Sequence, residues 1–181
     1  MRARKLLIVG SAASFLVAVG GPASAAGSGN TTVTFSITVG ALSITVPASA
    51  GLPAGTPGGT ITGQLGAVTV TDNRALLTAS WTSTVSSTDY TTGGGTASET
   101  ITKSNVSYWS GPATATTGSG TFTPGQATAT QKQPFSSTVT AFTLTAGVGN
   151  NSASWNPTLV VAVPAAAVGG NYTGTVTHSV A

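Results

Sequence analysis

From Thr31 to the end of the chain, apolar and hydroxyl-bearing residues alternate with a period of two, the pattern of strands that turn one face to a core. Val33, Phe35, Ile37 and Val39 interleave with Thr32, Thr34, Ser36 and Thr38, which predicts a half-buried strand. After Gly40 the pattern resumes with Leu42, Ile44 and Val46, and Pro47 stops it. Val68 and Val70 run into Asp72-Asn73, a turn signal, and Ala79, Trp81 and Val85 then mark the next strand. Val106 with Tyr108, and Phe142 with Leu144, predict two more. Leu159–Val163 is continuously apolar, as expected of a strand across the middle of a sheet sandwich or buried on both faces. In Tyr172–Val180 the threonines and Ser179 fall on one face, and Tyr172, Val176, His178 and Val180 on the other.

No window places apolar residues at helical spacing among good helix formers, and threonine and valine at this density favour strands. The stretches 51–59, 93–95 and 118–125 are rich in glycine or proline and read as loops. The expected fold class is all-β, an antiparallel β-sandwich with Greek-key-like connections; the alternative is a β-barrel.

The first 25 residues follow a different pattern. Arg2, Arg4 and Lys5 precede an uncharged apolar run from Leu6 to Val19, and Ala23-Ser24-Ala25 offers small residues for cleavage before Ala26. This is the arrangement of a secretory signal peptide, and the run is too short and too interrupted for a spanning helix. The expectation is therefore a cleaved signal, residues 1–25, followed by a single all-β domain, residues 26–181. The product is expected outside the cell, with no membrane attachment after cleavage.

Export changes the charge picture. The formal net charge of +3 rests on the three basic residues of the leader; the remainder holds Arg74, Lys103 and Lys132 against Asp72, Asp89 and Glu99. A near-neutral chain offers no basic patch for nucleic acid. With no cysteine, no disulfide staples the domain, and stability must come from burial.

The same sparsity argues against an enzyme. Asp72 and Asp89 could face one sugar bond as a carboxylate pair, but a turn former and a loop residue explain them more simply. His178 has no G-x-S-x-G elbow to serve and no carboxylate placed to orient it. No His/Cys cluster or calcium loop is present, so neither metal nor cofactor is expected. Aromatic rings are the better prospect, because sugars stack on flat apolar faces bordered by polar groups. Trp81, Tyr90, Tyr108, Trp109 and Trp155 are the rings available, and Trp81 falls among the core positions with Ala79 and Val85. Trp109, Trp155 and Tyr90, with Asn150 and Asn156, are the candidate ligand-binding residues.

The stretches Val70-Thr-Asp-Asn-Arg74, Trp81-Thr-Ser-Thr-Val85 and Ser87-Thr-Asp-Tyr90 resemble the opening of the WxL-type surface domain of Gram-positive bacteria. Leu159-Val-Val-Ala-Val-Pro164 and Gly170-Asn-Tyr-Thr-Gly-Thr-Val-Thr177 resemble its closing strands. The first W-x-L triplet stands here as Trp81-Thr82-Ser83, and His178 takes the place of the second tryptophan. The alanine, glycine and threonine content would suit an actinobacterial member. The resemblance implies a secreted module held noncovalently at the cell wall, with peptidoglycan or another surface glycan, or a surface protein, as partner. The other expectation is a structural subunit that self-associates through an exposed strand, for which Tyr172–Val180 is the candidate.

Overall fold

The structure, a computed structural model, describes residues 28–181; the signal segment 1–25 lies outside the described residues. The chain divides into two units, Met1–Ser36 and Ile37–Ala181. In the first, residues 28–36 join no sheet and are exposed throughout. Among the described residues, the second holds all the strands.

Two unusually long strands organise that second unit, β3 (Val68–Ser87) and β10 (Val139–Trp155), paired antiparallel along most of their length. Each is flanked by two short strands placed end to end. Along β3 lie β1 (Leu42–Thr45) and β12 (Val176–Val180); along β10 lie β7 (Ala113–Thr117) and β8 (Thr121–Pro124). These six form one sheet. A second sheet has the order β2 (Thr60–Gln64), β11 (Thr158–Ala162), β6 (Val106–Trp109), β9 (Gln133–Pro134). A small hairpin, β4 (Tyr90–Thr91) with β5 (Thr100–Ile101), turns at 93–95. All pairings are antiparallel, and the fold is the expected all-β sandwich.

The core sits where the two main sheets meet. Val68, Val70, Trp81, Val85, Phe142, Leu144 and Trp155 come from the six-stranded sheet, and Val106, Tyr108, Leu159 and Val161 from the other. Phe142 and Trp155 stack with centroids 4.9 Å apart, and Tyr108 meets Phe135 at 5.8 Å. The continuously apolar Leu159 segment lies mid-sheet between β2 and β6, as its pattern predicts.

Three expectations need correcting. Val33, Phe35, Ile37 and Val39 form no half-buried strand: they are 77, 82, 77 and 61% exposed, because the first backbone bond to the body is made by Gly40, whose N–H donates to the Asn73 carbonyl. The alternation is that of a strand, but alternation cannot supply a partner. Second, Asp72-Asn73 is no turn. β3 runs through it, because the Asp72 side chain is consumed by Arg74 rather than by a reversal of the backbone. Third, the glycine-rich stretch 118–125 is not all loop, since Thr121–Pro124 is an edge strand on β10. Pro124 is tolerated there, as prolines are at sheet edges.

Long strands must bend to stay on a core. The β3–β10 ladder shifts register four times, and the left-handed backbone of Ala75 (φ 52°) and Ala146 (φ 53°) falls within this irregular stretch. Left-handed conformations are costly for a residue with a β-carbon. Gly147 sits at a close approach, since a β-carbon there would lie 3.0 Å from Leu144 Cδ2 and 3.1 Å from the Ala79 β-carbon.

Beside this bend sits a polar clamp. Arg74 donates to both Asp72 carboxylate oxygens, Nε to Oδ1 and Nη2 to Oδ2, each at 2.9 Å, and Nη2 also reaches the Ser80 carbonyl at 2.8 Å. Asn151, opposite Asp72 on β10, accepts the Trp81 indole N–H at 2.8 Å and turns its amide toward Asp72. The Asp72 side chain is wholly buried and that of Arg74 is 30% exposed. The guanidinium holds the carboxyl below its ordinary range. Removing the Arg74 side chain leaves a buried carboxylate with only the residue 74 backbone N–H and the Asn151 amide as partners and no opposite charge, and breaking such pairs is expensive. Arg74→Ala is therefore expected to lower unfolding stability by about 3 kcal/mol, read from urea midpoints. Asp72→Asn/Arg74→Ala should lose less than the two single changes added together.

Candidate functional site

Strand β6 alternates cleanly: Val106 and Tyr108 are buried in the core, so Ser107 and Trp109 stand on the opposite face of the four-stranded sheet. Trp109 pairs across with Thr158, and Thr158 with Gln64 on β2; one step along, Ser107 pairs with Val160, and Val160 with Thr62. A half-buried indole thus lies on the outer sheet face with Thr158, Gln64, Ser107, Thr62 and Val160 around it. Beneath its benzo edge is Gly111 (φ 71°), where a β-carbon would sit 3.6 Å from Trp109 Cζ3 and 3.8 Å from the Asn156 carbonyl. The Pro157 bend therefore brings Asn156 beside Trp109. Its side-chain oxygen is already used, accepting the Gly66 N–H at 3.1 Å.

The other sequence candidates separate. Trp155 is fully buried, stacked on Phe142, with its indole N–H donated to the Tyr108 hydroxyl at 3.2 Å. It offers no face to a ligand, and the alternation of β10, which puts Ala153 and Trp155 inward together, is the reason. Asn150 is exposed on β10, facing Gly118, away from the Trp109 face. Tyr90 lies in a different place altogether. Its hydroxyl accepts from Ser87 Oγ at 2.9 Å, and burial raises its pKa.

Tyr90 forms part of the floor of a cleft. Two adjoining hollows of about 530 and 210 Å³ share Ala50, Leu52, Tyr90 and Gly174. One wall is the loop after β1; the other is the chain leading into and along β12, from Tyr172 to His178. No Asp, Glu, Lys or Arg lines either hollow. The Tyr172 hydroxyl donates to the carbonyls of Val168 and Ser98, at 2.9 and 3.1 Å, which fixes its ring at the rim. The alternation placed Tyr172, Val176 and His178 on one face, but the loop that makes their face into a groove has no periodic signal.

The two carboxylates considered as a catalytic pair have separate duties. Asp72 is held by Arg74, and the exposed Asp89 accepts the Lys103 backbone N–H at 2.7 Å. No protein-family model matches the chain, and no curated protein matches it. The functional reading rests on the residues themselves.

His178 lines the cleft on its core side. Its Nε2 lies 3.3 Å from the Tyr108 hydroxyl and its ring meets that tyrosine edge-on at 5.7 Å. Burial pushes its pKa down from 6.5 to about 4. Above pH 6.5 the ring is neutral in both the folded and unfolded chain, so stability is complete. As pH falls, the unfolded chain takes the proton first, and stability drains away until the folded chain also protonates near pH 4. The loss across that window is expected to be about 3 kcal/mol. His178→Gln should flatten this part of the stability profile, measured as melting temperature against pH.

Proposed function

We propose that the chain is a secreted, noncatalytic β-sandwich module of the bacterial cell surface, binding cell-wall glycan through the face that carries Trp109. One observation carries this reading: the half-buried indole on the outer face of the four-stranded sheet, bordered by Ser107, Gln64 and Thr62. Sugar rings present axial C–H groups to an aromatic plane and hydroxyls to its polar surroundings, and this face has both. The near-neutral charge after the leader fits a ligand met by stacking and hydroxyl bonds rather than by ionic attraction. The signal-like leader and the resemblance to WxL-type domains support export and the wall as its destination.

Peptidoglycan is the first ligand to try. Sedimentation with insoluble peptidoglycan is expected to pellet the wild-type protein. Trp109→Ala should lower the bound fraction by about tenfold, the effect of 1.4 kcal/mol, and Trp109→Phe should retain part of it. Wild-type protein that stays in the supernatant would sink the proposal. Circular dichroism of each variant shows whether the fold is kept.

A further inference from the structure

The segment Thr31–Val39 has the pattern of a strand and, among the described residues, no strand to pair with. Its apolar row, Val33, Phe35, Ile37 and Val39, is largely exposed. Elsewhere, the chain end that the alternation reads as one strand from Tyr172 is strand only from Val176 (β12), preceded by an isolated bridge at Thr173, and it leaves one side unused. Thr82 and Ala181 exchange backbone bonds at 2.8 and 3.1 Å, Thr91 and Thr173 at 3.0 and 2.9 Å, and the Thr88 N–H donates to the Thr175 carbonyl at 3.0 Å. Odd-numbered residues therefore bond inward, to β3 and its extension. Antiparallel geometry then turns the N–H and C=O groups of Tyr172, Gly174, Val176, His178 and Val180 the other way, along the open edge.

The edge is bare of the usual defences. No Lys, Arg, Asp, Glu or Pro occurs between Tyr172 and Val180, or between Thr31 and Val39, and such residues are how sheets discourage pairing with other chains. The uncharged cleft runs beside this edge, with Tyr172, Gly174, Val176 and His178 among its lining residues. A strand added there would have its main chain satisfied by the even-numbered groups. Every second side chain would point into a groove floored by Leu52, Ile61 and Tyr90. The arm is nine residues long, as is the edge from Tyr172 to Val180, and its odd-numbered residues form the apolar row that such a groove takes.

We propose that the Thr31–Val39 arm of one copy adds as a strand to the Tyr172–Val180 edge of a second copy, seating Phe35 and Ile37 in the uncharged cleft. This names the donor for an edge the sequence marks as association-prone, and it does not rest on glycan binding by Trp109. Donor and acceptor are different parts of the chain, so each copy offers one of each. Copies join head to tail into open chains, or exchange arms as pairs.

Sedimentation velocity of the chain at rising concentration is expected to show species of two copies or more. Phe35→Asp/Ile37→Asp should return the protein to a single-copy mass at every concentration. Both positions are exposed, so the substitutions leave the body's packing alone. The chain has no cysteine, which allows a direct second reading. Phe35→Cys protein mixed with Val176→Cys or His178→Cys protein should form a mixed disulfide under mild oxidation, whereas Phe35→Cys mixed with Leu77→Cys, exposed elsewhere on the body, should not. A wild-type chain that stays monomeric, association unchanged in the double Asp variant, or crosslinking equal to the Leu77 control would each overturn the proposal.

Discussion

The fold depends on keeping two very long strands bent around one small core, and the group that fixes the bend is the buried Asp72–Arg74 pair with Asn151 and Trp81 behind it. A 20-residue strand such as β3 reaches well past a single core if it runs straight. Here Arg74 reaches along the irregular stretch to the Ser80 carbonyl while gripping Asp72, which ties the two ends of the bulged segment together. Asn151 carries the tie across to β10 and on to the indole of Trp81. A charge pair in this position gains little over apolar packing in raw stability. What it adds is geometry: an apolar side chain at 72 would fill the space without fixing where the strand turns.

That bend explains the rest of the six-stranded sheet. Because β3 and β10 each change course midway, no outer strand follows the pair for its full length, and each takes two short partners end to end on its other side. The outer faces are then knitted by hydroxyls rather than ions. Thr69 meets Ser154 at 2.8 Å and Thr117 meets Ser152 at 2.7 Å across neighbouring strands. A threonine-rich surface of this kind satisfies itself and keeps β-propensity high, but it brings little charge to keep other chains away. The construction that holds the sheet therefore also leaves its edges open.

The sequence shows most of this when it is read by period. Alternation marks Val106, Val68, Val70 and Leu144 as apolar strand positions, which the structure buries, and Trp109, which breaks the pattern at the end of its strand, lies on the outer face. It misleads wherever a side chain overrides the backbone signal. Asp72-Asn73 has the residues of a turn, yet the carboxylate finds its partner two residues on and the strand continues. Trp155 beside Asn156 and Pro157 looks like a loop aromatic, but it is the last inward position of β10 and stacks on Phe142. The cleft was illegible for a different reason. Its walls are a Gly/Pro/Ala loop and a terminal strand far apart in the chain, and only tertiary closure brings them together.

The Trp109 face and the β12 edge belong to different sheets, one on the four-stranded sheet and the other at the margin of the six-stranded one. Use of one therefore does not bury the other through a shared strand. A single indole on an open face gives a weak glycan contact, since one stacked ring replaces only part of a sugar's hydration. Copies joined through their arms would carry many such faces on one assembly, and linked weak contacts multiply through effective concentration without any new chemistry at the individual site. Strand exchange is the means by which this fold can convert one weak contact into many.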